Sequence, residues 1–123
     1  MKVMIVDDEP LVRLSLRRAL EKRGHHVEEC PDGQAALEAW RSFGPELVFL
    51  DVLMPRLSGP DLLKSLPPEV RGSTKVILMS AYAGEYDLAK AKSLGADLFI
   101  AKPFDDIFTV VATGEEMTSE GAI

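Results

Sequence analysis

The side chains best suited to chemistry stand at the ends of short apolar runs. Asp7 and Asp8 follow the run at 3–6, Asp51 the run at 47–50, Ser80 the run at 76–79, and Lys102 closes the segment at 97–102. Taken singly, an aspartate after an apolar run is a turn residue or a helix cap. Taken together, three carboxylates, a hydroxyl and an ammonium make a set with a purpose. Carboxylates crowded at one place repel one another unless a cation neutralises them. Oxygen donors without His or Cys suit a hard ion, and a few carboxylates with room for water suit Mg²⁺ or Mn²⁺ better than a closed Ca²⁺ cage. A lysine and a hydroxyl opposite such an ion would complete an electrostatic clamp for a phosphoryl group, so the set points to phosphoryl transfer.

For these residues to meet, the runs that carry them must be parallel strands ending at one edge. The apolar runs at 3–6, 46–51 and 75–80 read as buried strands, 25–30 as an edge strand, and 97–102 as a fifth strand. Between them lie helix patterns. Pro10 suits the first helical position, and Leu11, Leu14, Leu16 and Leu20 follow at helical spacing until Gly24 stops the helix. Asp32 is placed to cap a second helix over 33–43. A short helix fits 60–66 before the proline pair breaks it, and another fits 84–95 with Gly95 at its end. After Pro103, Ile107, Phe108, Val110 and Val111 form an apolar helical face that Gly114 is expected to interrupt. Strand and helix thus alternate five times, which predicts an α/β fold, a (βα)5 three-layer sandwich with right-handed crossovers. In such a sheet the functional crevice lies beyond the carboxyl ends of the strands, where the polar set stands.

Composition bounds the function. The chain has 123 residues, enough for one domain, with 20 acidic and 14 basic residues and a net charge of −6. That balance argues against a phosphate-backbone partner, so no direct nucleic-acid binding is expected. Cys30 is the sole cysteine, which excludes an intrachain disulfide and fits a reducing, cytoplasmic location. No stretch reads as a signal peptide or membrane span. His25 and His26 read as exposed residues, and Trp40 and the methionines at 4, 54, 79 and 117 as packing or surface residues.

The motifs DDE at 7–9, DVLMPRLSG at 51–59, SA at 80–81 and AKSLGADLFIAKP at 91–103 resemble the receiver domain of two-component response regulators, of the chemotaxis-receiver kind. The intervals agree: 43 residues from Asp8 to Asp51, 29 to Ser80 and 22 to Lys102. The resemblance covers about residues 2–112 and implies a flavodoxin-like parallel sheet in the order 2-1-3-4-5. It places a receiver domain at 1–113 and makes 114–123 a frayed tail or the start of a linker to an output domain. It makes Asp51 the phosphoacceptor, taking a phosphoryl group from the phosphohistidine of a sensor histidine kinase or a phosphotransfer protein. Asp7, Asp8, Asp51 and the backbone carbonyl of Leu53 become the magnesium or manganese ligands, and Lys102 and Ser80 the contacts to the phosphoryl oxygens. Ser80 and Phe99 become the switch pair, and Tyr82 a residue that tunes the lifetime of the acyl phosphate. The Lys102–Pro103 peptide is implied to be cis. Glu9 reads only as a negative charge near the start of the first helix.

The implied output face joins the helix at 84–95, the strand at 97–102 and the last helix. It would act on an output domain or a downstream protein, and it allows a homodimer. The chain would catalyse only its own phosphorylation and dephosphorylation, and so is not an enzyme acting on other substrates. Two rivals lose ground on the residues. An aspartate-nucleophile phosphatase would need a second acid where Leu53 stands, and the acidic loop after the first strand would repel a flavin phosphate. A receiver-like interaction module that is never phosphorylated is the alternative from another class.

Overall fold

The run at 47–51 is buried along its whole length, as a strand covered on both faces of a parallel sheet must be. It is the central strand in the computed structural model, which describes residues 1–81 and 84–120. The elements in chain order are β1 (Lys2–Val6), α1 (Pro10–Lys22), β2 (His26–Cys30), α2 (Gly33–Phe43), β3 (Leu47–Asp51), α3 (Gly59–Ser65), α4 (Pro68–Arg71), β4 (Lys75–Ser80), α5 (Leu88–Ser93), β5 (Leu98–Ala101) and α6 (Ile107–Glu120). All strand pairs are parallel, in the order β2-β1-β3-β4-β5. Both the flavodoxin-like order and the α/β sandwich are therefore as expected.

Because successive strand residues point to opposite faces, the sheet has two cores. Val3, Ile5, Leu47, Phe49, Ile77 and Met79 pack under α1 and α6 with Leu16, Leu20, Val110 and Val111. Met4, Val6, Val48, Leu50, Val76 and Leu78 pack on the other side with Ala36, Trp40, Leu62 and Ala91. Odd-numbered residues of β1 and β3 thus face α1 and α6, and the same alternation carries on to Asp7 and Asp51 where the strands end. Asp51 pairs with Met79 in the register of β3 and β4, one residue short of Ser80.

Local signals set most boundaries. Pro10 opens α1, the Asp32 side chain accepts a hydrogen bond from the Ala35 N–H, and Gly24 and Gly95 adopt φ of 85° and 96° just beyond their helices. Four expectations need correction. The helix expected over 84–95 is shorter, because Asp87 has extended backbone and caps a helix that starts at Leu88. The proline pair ends α3 but also starts a single turn, α4, with Pro68 at its first position, where a missing N–H does no harm. Gly114 does not interrupt the last helix, which continues to Glu120. A Cβ there would lie 2.7 Å from Leu47 Cδ2 and 3.2 Å from Phe49 Cζ, so the glycine lets α6 approach the sheet closely. Finally, Leu11, Leu14 and Phe108 stay exposed, while Leu16, Leu20, Val110 and Val111 reach the core. The apolar stripes of α1 and α6 are wider than the surface they bury.

The loop after Asp51 is held between two glycines. A Cβ on Gly33 would sit 2.2 Å from the Leu57 carbonyl oxygen, and one on Gly59 would sit 2.4 Å from the Asp51 carbonyl oxygen. Backbone cannot give way there as a side-chain end can. The Gly59 N–H also donates to the Val52 carbonyl at 3.0 Å. Gly33→Ala and Gly59→Ala are each expected to lower stability by about 1–3 kcal/mol, read as a lower urea midpoint. Gly84→Ala, with nothing near its Cβ, should leave the midpoint in place; equal stability of all three variants would refute the clamp.

Candidate functional site

The ends of β1, β3 and β5 bring Asp7, Asp51 and Lys102 into direct contact. Lys102 Nζ donates to Asp7 Oδ2 at 2.9 Å and to Glu9 Oε1 at 2.9 Å, and lies 3.3 Å from Asp51 Oδ1. Asp7 has no exposed surface and Asp51 keeps 5%. Asp8 stands beside them, exposed. One carboxylate oxygen from each of Asp7, Asp8 and Asp51 lies within 4.8 Å of the other two, a spacing that fits shared ligation of one small cation. The donors are all oxygen, and Asp8 opens the cluster to solvent, so the site suits a hard, partly hydrated ion.

Burial dominates the electrostatics. It pushes Asp51 up to about 6; the Asp7 charge adds to the rise, and Lys102 offsets part of it. Burial also raises Asp7, against hydrogen bonds from the Glu9 N–H and from Lys102. For Lys102 burial acts the other way, but hydrogen bonds to Glu9 and Asp7 and the Asp51 charge outweigh it and hold the ammonium firmly protonated. Two buried carboxylates around one cation leave the cluster short of positive charge.

Ser80 is buried at the end of β4, and its carbonyl accepts the Lys102 N–H at 2.9 Å. Phe99 is half-buried on β5, opposite Leu78 in the register, and packs against the core on the α2, α3 and α5 side. Leu53, two residues past Asp51, is exposed in the loop that the two glycines hold. The Lys102–Pro103 peptide is cis, as expected. Tyr82 lies outside the described residues.

Two roles differ from expectation. Glu9 makes no side-chain cap bond to α1; it turns to Lys102. His25 is not exposed: its side chain keeps 12% of its surface, with Nε2 2.7 Å from Glu115 Oε2 and Nδ1 3.1 Å from the Met1 amino group. His26 is exposed, with its ring edge-on to Phe43. Arg13 escaped sequence reasoning altogether. It donates to the Asp7 carbonyl at 2.6 Å and pairs with Glu29, bracing the turn that aims Asp7. A cation four residues after Glu9 on a helix carries no sign that it will fold back on that turn.

Beside the cluster, Glu9, Val12, Ala81, Lys102, Pro103 and Phe104 line a cavity of about 430 Å³. Leu11 and Ile107 border both this cavity and a second groove reaching Leu14 and Phe108. The carboxylate site therefore opens onto an apolar surface between α1 and α6.

Residues 3–111 match the family described as response regulator receiver domain. The chain belongs to that family. Receiver domains are signalling modules of two-component systems; they are generally Mg-dependent and interact with histidine kinases or phosphotransfer proteins and with output domains. This receiver domain is 37% identical over 103 residues to the transcriptional regulatory protein CseB of Streptomyces avermitilis, covering 84% of this chain and 43% of that protein. It is 33% identical over 104 residues to the chemotaxis protein CheY of Thermotoga maritima, covering 84% and 86%. It thus spans less than half the length of the first transcriptional regulators it matches. Among solved structures, the receiver domain of NtrX from Brucella abortus superposes with a TM-score of 0.82 at 29% identity, over 96% of this chain and 98% of that one. No helix among the described residues is long and apolar enough to cross a membrane.

The raised Asp51 sets a pH dependence with a definite sign. Between the ordinary carboxylate value of 3.8 and about 6, the folded receiver domain binds a proton that the unfolded chain has lost, so this group's contribution to stability falls as pH rises through that window. The full penalty, roughly 3 kcal/mol for a shift of about two units, is present above pH 6. In metal-free protein Asp51→Asn should be more stable than the parent by about 1–3 kcal/mol at pH 7.5. The advantage should shrink toward pH 4 in urea titrations, and an advantage independent of pH would refute the assignment.

Proposed function

We propose that this chain is a phosphoacceptor receiver domain in which Asp51 takes a phosphoryl group from the phosphohistidine of a sensor histidine kinase or phosphotransfer protein. The observation that carries the reading is the contact of Asp51 with Lys102 inside a cluster of carboxylates at the open edge of the sheet. An Asp51 carboxylate oxygen attacks phosphorus, and the bond from phosphorus to the donor's nitrogen or oxygen breaks. The donor leaves with the electron pair, and Asp51 becomes an acyl phosphate. Asp7, Asp8, Asp51 and the Leu53 carbonyl would hold Mg²⁺, or Mn²⁺ in its place. That ion, when bound, neutralises the acidic cluster and the phosphoryl oxygens. Lys102 contributes a fixed positive charge to the phosphoryl group, within reach of Asp51 before transfer. Ser80, at the end of the neighbouring strand, offers a hydroxyl to another phosphoryl oxygen.

The switch follows from the same neighbours. The new phosphoryl group adds about −1.5 to −2 charges and fresh acceptors. Ser80 and Lys102 are joined through their backbones across β4 and β5, so a shift of either is felt by the four-residue edge strand that carries Phe99. The face of α5, β5 and α6 then changes, and with it the contact to an output domain, a downstream protein or a second copy. The setting of this chemistry would be the cytoplasm.

Intact-mass measurement with acetyl phosphate and Mg²⁺ tests the reading. One phosphoryl group should be gained, and the gain should vanish in Asp51→Asn and with chelator. No gain under any condition would favour an interaction module that is never phosphorylated. In Ser80→Ala, Asp51 should still be modified while amide NMR shifts over residues 86–110 fall well below those of the parent. Shifts of full size in that variant would refute the Ser80 part of the switch.

A further inference from the structure

Lys102 meets three carboxylates before any phosphoryl group arrives: it donates to Asp7 and to Glu9, each at 2.9 Å, and lies 3.3 Å from Asp51. The neighbours differ in what they lose if released. Asp7 is completely buried, and a buried carboxylate stripped of its cation is strongly unfavourable. Asp51 is the acceptor itself. Glu9 is 61% exposed at its side chain, so water can take over its solvation at little cost. Among the described residues, the Glu9 side chain pairs with Lys102. Its backbone is extended as the cap residue of α1, its N–H is held by Asp7 Oδ1 at 2.9 Å, and its side chain makes no cap bond. It reaches instead across the mouth of the site to Lys102 Nζ, at the edge of the cavity that opens beside the cluster.

We propose that Glu9 is a positioning residue that tethers Lys102 in the unmodified state and is displaced from it by a phosphoryl oxygen, so that Glu9 sets how fast Asp51 is modified. The inference rests on Asp51 being the phosphoacceptor. A phosphoryl oxygen at Asp51 competes with Asp7 and Glu9 for the Lys102 ammonium, and of these two Glu9 is the one whose release leaves no buried charge unpaired. Its negative charge at the rim also opposes an anionic donor. Both effects act in the same direction and slow transfer. The reaction is unchanged by the tether: the Asp51 oxygen bonds to phosphorus, the bond from phosphorus to the acetate oxygen breaks, and acetate departs with the electron pair.

The rate of mass gain with acetyl phosphate, read in the parent chain and in Glu9→Gln, tests the inference. Glu9→Gln should react about two- to fivefold faster, the range an exposed ion pair supports. In a Lys102→Ala background the same change should give a clearly smaller acceleration, since the tether has lost its far end and only the repulsion of the donor remains. Before any donor is added, the ¹⁵N-detected ammonium protons of Lys102 should exchange with water faster in Glu9→Gln than in the parent, a readout independent of phosphorylation. A parent chain that is modified while Glu9→Gln is no faster would overturn the tether alone. Acceleration of equal size without Lys102 would overturn it too, leaving simple repulsion. A parent chain that never gains a phosphoryl group would overturn the phosphoacceptor reading and this inference with it.

Discussion

Among the described residues, Lys102 is the one cation in contact with two carboxylates that the sheet has taken out of water. Asp7 and Asp51 sit where β1 and β3 emerge, and each would be strongly disfavoured as a lone buried charge. A single ammonium cannot satisfy both, which is why Asp51 stays well above the usual carboxylate range even with Lys102 at 3.3 Å. The deficit of positive charge is the property that suits the edge to a hard cation. Folding stability is lowered at this edge so that binding has something to relieve.

The rest of the fold supplies that stress with a rigid frame. Three central strands are apolar on both faces, two helical layers cover them, and the cores on either side lock strand ends in register. Asp51 and Asp7 then have little freedom to move apart. The glycines at 33 and 59 add a second constraint by fixing the loop that follows Asp51 against backbone on both sides. Arg13 holds the Asp7 carbonyl from α1, so the helix that starts at Pro10 also steadies the turn before it. The lone thiol of Cys30, beside this turn, is pushed up to about 12 by burial and the nearby acids and stays an inert part of the core.

Not every polar group serves the carboxylate edge. At the opposite end of the sheet, Glu115 holds Arg23 at 2.8 Å and His25 at 2.7 Å, and His25 meets the Met1 amino group. Met1 ammonium can only donate, so His25 Nδ1 accepts and Nε2 donates to Glu115. This chain of contacts fastens the far part of α6 beside α1 and gives His25 a structural place rather than a metal-binding one.

Much of the molecule was legible in the order of residues. Alternation of buried strands with amphipathic helices, Pro10 and Asp32 at helix starts, and Gly24 and Gly95 at helix ends are local signals, and each is found where local chemistry puts it. The carboxylates, Ser80 and Lys102 were legible as a set because a parallel sheet delivers all strand ends to one edge. What the sequence could not decide was contact across distance. Gly114 reads as a helix stop until Leu47 and Phe49 are seen beneath it, and Leu11, Leu14 and Phe108 read as core until the width of the buried stripe is known. Glu9 reads as a helix-end charge until Lys102, 93 residues away, comes to meet it. Period and propensity are properties of neighbours along the chain, and burial and pairing at the site are properties of neighbours in space, which only the tertiary structure assigns.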